Sequence, residues 1–268
     1  MNHSTKNIME KSEKNSLSSE TIRAYEESLR IARSEGGARD MKAAVALMTT
    51  AAEGGHPEAQ CNLGYILISG DGIEKDPENG VHWLKASAEN GNLQALYNLS
   101  QVFSGGIGVE ADEATGIALL RKAANAGHPD ALYNIGLYHY NGHGGIEKDL
   151  QAALVFFENA ASTGHGDACF SAGLCYSMGH GTEKDECRAV SFYRKAAESG
   201  NANGLFNLGL YAFYGEGGVD KDLDLAEELF KKAAELGHEK AAQAVASMPE
   251  ERAKNQATEE EAIYKIDL

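Results

Sequence analysis

Residues 131–164 read ALYNIGLYHYNGHGGIEKDLQAALVFFENAASTG. The stretch contains two amphipathic segments separated by a glycine turn, and the same pattern returns along most of the chain. Its closing glycine has five counterparts, each 36 or 37 residues from the next. So regular a repeat predicts a stack of small structural units, each of which buries its apolar side against its neighbours. The six glycines are Gly55, Gly91, Gly127, Gly164, Gly200 and Gly237.

The second segment of each unit has the pattern of a capped helix. An aspartate lies fifteen residues before each closing glycine, and aspartate is a preferred N-cap. A small residue follows the aspartate at four residues, large apolar residues at seven and eight, and alanine at twelve, which places them on one helical face. The closing glycine predicts that the helix ends in a residue with left-handed backbone conformation. The aspartates are Asp40, Asp76, Asp112, Asp149, Asp185 and Asp222.

The first segment of each unit carries the pattern Ala-xxx-Leu-Gly and ends in a glycine turn. A glycine or serine inside a helix costs up to ~1 kcal/mol of propensity, so it indicates close approach of a neighbouring helix. The segment therefore predicts a second type of helix, packed tightly against the first. Its instances begin at Ala59, Ala95, Ala131, Ala168 and Gly204.

Together these motifs resemble the Sel-like repeat family, which is related to the tetratricopeptide repeats. The resemblance covers about Ala38 to Met248. It implies an all-α fold, a right-handed α/α superhelix (solenoid) of antiparallel helix pairs. It also implies a scaffold or adaptor that assembles other proteins.

The repeat register predicts the organisation of the chain. We expect a disordered segment over residues 1–20, a solenoid over 21–248 and a charged tail over 249–268. The solenoid begins with a degenerate unit at about 21–55 and ends with a partial capping helix over 238–248, which Pro249 interrupts. The full units span 56–91, 92–127, 128–164, 165–200 and 201–237.

The charge of the chain bears on its partners. There are 40 Asp and Glu against 24 Lys and Arg, a formal net charge of −16. A net negative charge of this size repels the phosphate backbone of nucleic acids and disfavours nucleic-acid binding. It favours a protein or peptide partner with a basic face, although an acidic surface also serves solubility. The composition does not predict an oligomeric state.

The cellular location is predicted from three patterns that the sequence does not show: a membrane span, a signal peptide and paired cysteines. No stretch approaches the ~20 apolar residues of a membrane span, and residues 1–20 have no apolar core of a signal peptide. The four cysteines show no paired spacing, which favours small buried thiols in a reducing compartment. We expect a cytoplasmic protein. The cysteines are Cys61, Cys169, Cys175 and Cys187.

The candidate binding surface comes from the resemblance. In tetratricopeptide proteins, ligand-facing positions lie just before the Leu-Gly pair and two and five residues after its leucine. Aromatic and asparagine side chains at these positions suit a peptide groove. The alternative, that they pack between repeats, is equally open. The predicted partner-binding residues are Asn62, Tyr65, Tyr97, Asn98, Tyr133, Asn134, Tyr140, Phe170, Phe206, Asn207 and Phe213.

Catalytic and metal sites are not predicted, and neither is a cofactor. His139 and His143 are four residues apart but have no third ligand nearby in sequence. The function expected is a non-catalytic scaffold. The alternative is a β-lactamase-like hydrolase or penicillin-binding protein of the family's cysteine-rich branch, which the resemblance ties to regularly paired cysteines. Four histidines at the repeat junctions are interpreted as helix caps: His56, His128, His165 and His238.

Overall fold

The computed structural model describes residues 17–33 and 40–266, with the side chains of the last helix described as far as Lys254. These residues form thirteen α-helices and no strand, which confirms the all-α prediction. None of the described helices is long and apolar enough to cross a bilayer. They are α1 (Ser19–Ala32), α2 (Met41–Glu53), α3 (Pro57–Ser69), α4 (Pro77–Glu89), α5 (Leu93–Gly105), α6 (Glu113–Asn125), α7 (Pro129–Asn141), α8 (Leu150–Ser162), α9 (Gly166–Met178), α10 (Glu186–Glu198), α11 (Ala202–Tyr214), α12 (Leu223–Glu235) and α13 (Glu239–Ile266).

The helices divide into two compact units, with the division between His128 and Pro129. Unit one holds α1 to α6, and unit two holds α7 to α13. In each unit, every helix packs against the next one along the chain. The connecting loops are short, so neighbouring helices run antiparallel and each unit is a stack of helix pairs. This is the solenoid arrangement that the repeat predicts.

The even-numbered helices α2 to α12 each begin at a predicted aspartate cap. The carboxylate accepts a hydrogen bond from the backbone N–H three residues later, with N···O distances of 2.9–3.1 Å. The first N–H groups of a helix have no partner within it, so these bonds help to fix where each helix begins. The six caps are confirmed.

Removing one cap should cost a measurable amount of stability. Asp149 accepts from the N–H of Ala152 at 2.9 Å. We expect Asp149→Ala to lower the free energy of unfolding by about 1 kcal/mol, measured by urea denaturation. Glu147→Ala, two residues earlier in the exposed turn, is the matched control and should change stability little. Equal losses in the two variants would contradict the capping role.

The glycine that closes each even-numbered helix has left-handed backbone, as predicted. Its φ lies between 79° and 90° at all six positions. A side chain strains this conformation, which is why the repeat keeps glycine there. The positions are Gly55, Gly91, Gly127, Gly164, Gly200 and Gly237.

Small residues line the helix contacts, and aromatic rings fill the space between helix pairs. In unit two, Ala153 and Ala189 are fully buried, and the rings of Phe157 and Tyr193 are 1% exposed. A Cβ placed on Gly136 would lie 2.7 Å from the ring of Phe157. The glycine of the Leu-Gly pair therefore marks a close contact, as its position inside a helix predicted.

The N-terminal boundary differs slightly from the predicted one. Residues 1–16, most of the segment expected to be disordered, lie outside the described residues. Helix α1 begins at Ser19, and the Ser18 hydroxyl accepts from the N–H of Thr21 at 3.0 Å. This serine cap places the start of the first helix two residues before the predicted solenoid boundary.

The prediction that Pro249 interrupts the last helix is wrong. Helix α13 continues through Pro249 to Ile266. Proline removes one backbone hydrogen bond, but packing holds the helix on both sides of it. Met248 is 1% exposed, and Arg252 reaches back to α12, where it donates to Asp224 at 2.6 Å and Glu227 at 2.8 Å.

Candidate protein-binding surface

The predicted partner-binding residues lie on the odd-numbered helices α3 to α11. Unit one carries four of them, on α3 and α5, and unit two carries seven, on α7, α9 and α11. Most are half-buried, and Tyr65 is the exception at 59% exposed. Their contacts divide them into residues that pack between repeats and residues that face solvent.

Three predicted aromatics pack against the junction histidine of the next repeat. The Tyr97 ring lies 4.9 Å from His128 in unit one. In unit two, Tyr133 lies 4.8 Å from His165, and Phe206 lies 4.4 Å from His238. Tyr25 and His56 form a fourth such pair at 4.2 Å. These rings help to hold consecutive repeats together.

Two junction histidines also cap helices, as interpreted from the sequence. Nδ1 of His165 accepts from the N–H of Ala168, and Nδ1 of His238 accepts from the N–H of Ala241, both at 3.1 Å. His56 makes no side-chain cap bond, so the interpretation is wrong there. Its Nδ1 lies 3.1 Å from Glu58 but without hydrogen-bond geometry.

The packing of these histidines against aromatic rings was not recognised from the sequence, although a signal was present. Each junction histidine follows an aromatic residue by 31 or 32 residues. That separation is close to one repeat, which brings the two rings to the same interface. The pairing could have been found by comparing the repeats position by position.

The asparagines of unit one bond to the preceding repeat. Nδ2 of Asn62 donates to the Tyr25 hydroxyl at 3.1 Å, and Nδ2 of Asn98 donates to Cys61 Sγ at 3.8 Å. In unit two, Asn207 donates to the Asn203 carbonyl within its own helix, at 2.8 Å. These contacts favour the packing interpretation for Asn62 and Asn98.

Tyr140 is covered by the turn of the following repeat. Its hydroxyl lies 2.8 Å from Nδ1 of His180, and the Lys148 ammonium lies 6.0 Å from the centre of its ring. Burial raises the pKa of Tyr140, so the phenol stays protonated at neutral pH. The side chain joins two consecutive repeats.

Phe213 occupies the same position of the repeat as Tyr140 but lines an open cleft. The turn that would cover it is replaced by the continuous helix α13. The cleft between α11 and α13 has a volume of about 350 Å³. Tyr214, at its edge, is 62% exposed and lies edge-on to Phe213 with ring centres 5.0 Å apart. We call it the C-terminal cleft; it is lined by Leu210, Phe213, Tyr214, Phe230, Ala244, Ser247, Met248 and Glu251.

The cysteines offer little nucleophilic chemistry. All four are free thiols, and three are buried, as predicted; Cys187 is exposed, contrary to that prediction. Burial raises the pKa of Cys61 and of Cys175 to about 11, and it also raises the pKa of Cys169. Thiolate, the reactive form, is therefore scarce at these three positions near neutral pH.

Each histidine of the pair considered as a metal site packs against an aromatic ring. His139 stacks on Phe156 with ring centres 5.4 Å apart, and His143 lies edge-on to Tyr138 at 5.3 Å. The described part of the chain contains no cluster of three or more His, Cys, Asp or Glu side chains arranged for a metal ion.

Comparisons with known proteins identify the repeat. The model of the Sel1 repeat matches the chain six times, over residues 30–56, 57–92, 93–128, 129–165, 166–201 and 202–238. No curated protein gave a match.

Solved structures share the fold. A Sel1 repeat protein from Oxalobacter formigenes is 31% identical, with a TM-score of 0.70 over 77% of this chain and 83% of its own. The protective antigen c5321 of uropathogenic Escherichia coli is 27% identical with a TM-score of 0.76; the match covers 92% of this chain but only 52% of c5321. The immunity protein Pa5087 of Pseudomonas aeruginosa, 23% identical with a TM-score of 0.54 over 82% of this chain and 83% of its own, is similar in fold alone. With six matched repeats covering most of its length, the chain belongs to the Sel1 repeat family.

Proposed function

We propose that this chain is a non-catalytic scaffold that binds a protein or peptide through its odd-numbered helices, with the C-terminal cleft as the main contact. Sel1 repeat proteins are generally protein-interaction scaffolds. The observation that carries the proposal is the cleft itself, in which an exposed tyrosine borders an apolar floor. Aromatic anchors of this kind dominate the energy of many interfaces.

The chemistry of the cleft suits an apolar side chain followed by a basic one. Leu210, Phe213 and Ala244 offer partly exposed apolar surface. Glu251, which pairs with Lys254 at 2.9 Å, is the only carboxylate among the lining residues. The net charge of −16 would attract a partner with a basic face and speed its encounter. A partner segment could then insert an apolar side chain and place Lys or Arg beside Glu251.

The predicted residues contribute unequally to this proposal. Tyr65 and Phe213 are suited to partner contact because one is exposed and the other lines the cleft. Tyr97, Tyr133 and Phe206 pack against histidines, so their replacement would weaken the repeats as well as any binding. Tests of binding should therefore change exposed side chains.

The hydrolase alternative finds less support. The cysteine-rich branch of the family is tied to paired cysteines, whereas the cysteines here are free. Free thiols also suit a reducing compartment, and we extend the proposal to a cytoplasmic protein. Turnover of nitrocefin by the purified chain, at a rate above the buffer background, would favour the hydrolase.

Binding through the cleft predicts a specific loss. We expect Tyr214→Ser to weaken the affinity for a partner captured from the source cells by about tenfold or more, measured by isothermal titration calorimetry. The matched control is Val155→Ser, which changes a side chain that is 50% exposed on the even-numbered helix α8. The control should bind like wild type. Unchanged affinity in Tyr214→Ser and Tyr65→Ser alike would contradict the proposal.

A further inference from the structure

Helix α13 joins two halves that are held to unit two in different ways. Its proximal half, 239–248, packs into the core, where Ala241 is fully buried and Met248 is 1% exposed. Its distal half, 250–266, follows Pro249, and none of the side chains described there, as far as Lys254, is a buried apolar one. A segment with few buried apolar contacts opens at a lower free energy than the core to which it is attached. The distal half should therefore open before the proximal half.

Pro249 makes the boundary between the two halves a hinge. Proline has no backbone N–H, so the hydrogen bond that would reach the carbonyl of Val245 is missing. The proline ring also crowds that carbonyl, and prolines are frequent sites of bending in long helices. Helix α13 is continuous through Pro249 in this structure, but it bends more easily there than where its hydrogen bonds are complete.

Arg252 fastens the distal half to α12. Its Nη2 donates to Asp224 at 2.6 Å and to Glu227 at 2.8 Å, and its Nε donates to Glu227 at 3.2 Å. Hydrogen bonds between charged groups are stronger than neutral ones. The Arg252 side chain is 36% exposed, so water and salt weaken this attachment. The contact can hold the distal half in place and can still be released.

Arginine at this position departs from the repeat pattern. Each odd-numbered helix from α3 to α11 ends at a glycine with left-handed backbone, seven residues after the leucine position of its Leu-Gly pair. Counted in the same way from Val245, this position in α13 is Arg252. The exchange removes the signal that ends the helix and places a cation beside α12. The five glycines are Gly70, Gly106, Gly142, Gly179 and Gly215.

The distal half also borders the C-terminal cleft. Glu251 lines the cleft together with Met248 of the proximal half, across from Phe213 and Tyr214 of α11. Glu251 and Arg252 follow Met248 by three and four residues, so they lie on the same face of the helix one turn further on. Movement of the distal half away from α12 would therefore widen the cleft and expose Met248.

We propose that the distal half of α13 is a hinged lid on the C-terminal cleft, which bends at Pro249 and is latched to α12 by Arg252. The lid opens to admit the apolar side chain of a partner, and its closure returns Glu251 to the edge of the cleft. This role rests on the proposed binding at the cleft, whereas the opening itself needs no partner. The lid can therefore be tested in the full chain alone.

Oxidation of Met248 by dilute hydrogen peroxide reports the opening of the lid. The peroxide transfers one oxygen atom to an accessible thioether, which becomes a sulfoxide as water is released, and peptide mass spectrometry measures the rate. We expect Arg252→Gln to raise the rate at Met248 about fivefold, because loss of the ion pairs increases the open population. Met178, 58% exposed, and Met48, 1% exposed in unit one, are internal references whose rates should not change.

Lys232→Gln is the matched control for loss of a cation. Lys232 pairs with Glu228 at 2.6 Å inside α12, so its replacement removes an ion pair and leaves the latch intact. The control should show the wild-type rate at Met248. Sodium chloride at about 1 M should raise that rate in the wild type but not in Arg252→Gln, because screening weakens a latch only where one is present.

Hydrogen–deuterium exchange separates lid opening from a general loosening of unit two. In Arg252→Gln the amides of residues 250–266 should exchange about fivefold faster, while those of α12 keep their wild-type rates. Equal acceleration in α12 would overturn the inference, since Arg252 would then stabilise the whole unit. An unchanged oxidation rate at Met248 in Arg252→Gln would overturn it as well. Neither measurement depends on partner binding, which the Tyr214→Ser variant tests separately.

Discussion

Replacing Phe157 with alanine should lower the free energy of unfolding of unit two by about 3–5 kcal/mol. The ring is 1% exposed on α8 and lies 5.8 Å from the ring of Tyr133 and 6.3 Å from that of Tyr140. Truncation removes these contacts and leaves a cavity among stacked helices. Urea denaturation followed by circular dichroism measures the loss.

The neighbouring phenylalanine gives the matched control for this prediction. Phe156 is half-buried and stacks on His139. We expect Phe156→Ala to cost less than half as much, because solvent already reaches part of its ring. Similar losses in the two variants would contradict the assignment of Phe157 to the core. The comparison also distinguishes the buried residue, Phe157, from the partly exposed one, Phe156, of the two adjacent phenylalanines on α8.

The repeat could be read from the sequence because its decisive signals are local. An aspartate such as Asp149 caps the helix that it precedes, and a glycine such as Gly164 ends it, whatever the neighbouring repeat contains. Both features depend on backbone geometry within a few residues. The periodic copies then make each local signal unambiguous.

The end of the fold could not be predicted in this way, because tertiary contacts decided it. Pro249 is a local stop signal, yet α13 continues beyond it. The stop is overridden because Met248 is buried and Arg252 pairs with Asp224 and Glu227 on α12. Such contacts link residues more than twenty positions apart, so patterns among neighbouring residues cannot predict them.

The candidate site was predictable in position but not in exposure. Tyr140 and Phe213 share one position of the repeat, so the sequence treats them alike. The structure covers Tyr140 with His180 and leaves Phe213 lining the C-terminal cleft. The difference arises from the following repeat, which forms a turn in one case and a continuous helix in the other. Whether the surface binds a partner stays a prediction.

Adding a single methyl group at Gly64 should destabilise unit one by about 2 kcal/mol. A Cβ at this position would lie 2.8 Å from the carbonyl oxygen of Gly80 and 2.8 Å from Cγ of Leu84. The first of these atoms belongs to the backbone of α4, so the two helices must move apart. Overpacking of this kind lowers the free energy of unfolding by up to about 3 kcal/mol. The higher helix propensity of alanine offsets about 1 kcal/mol of this loss, which leaves the net of about 2 kcal/mol.

Gly105→Ala separates the steric effect of this substitution from helix propensity. Gly105 is the last residue of α5. Outside its chain neighbours and the backbone of its own helix, the nearest described atoms to a Cβ there would be in the Ile107 side chain, at 3.5 Å. We therefore expect a gain of about 0.5 kcal/mol, since alanine loses less backbone entropy on folding. Opposite signs in urea denaturation for Gly64→Ala and Gly105→Ala would establish that glycine at Gly64 is kept for helix contact. A gain in both variants would mean that α3 and α4 can separate at no cost, which contradicts the close packing on which the stacked repeat depends.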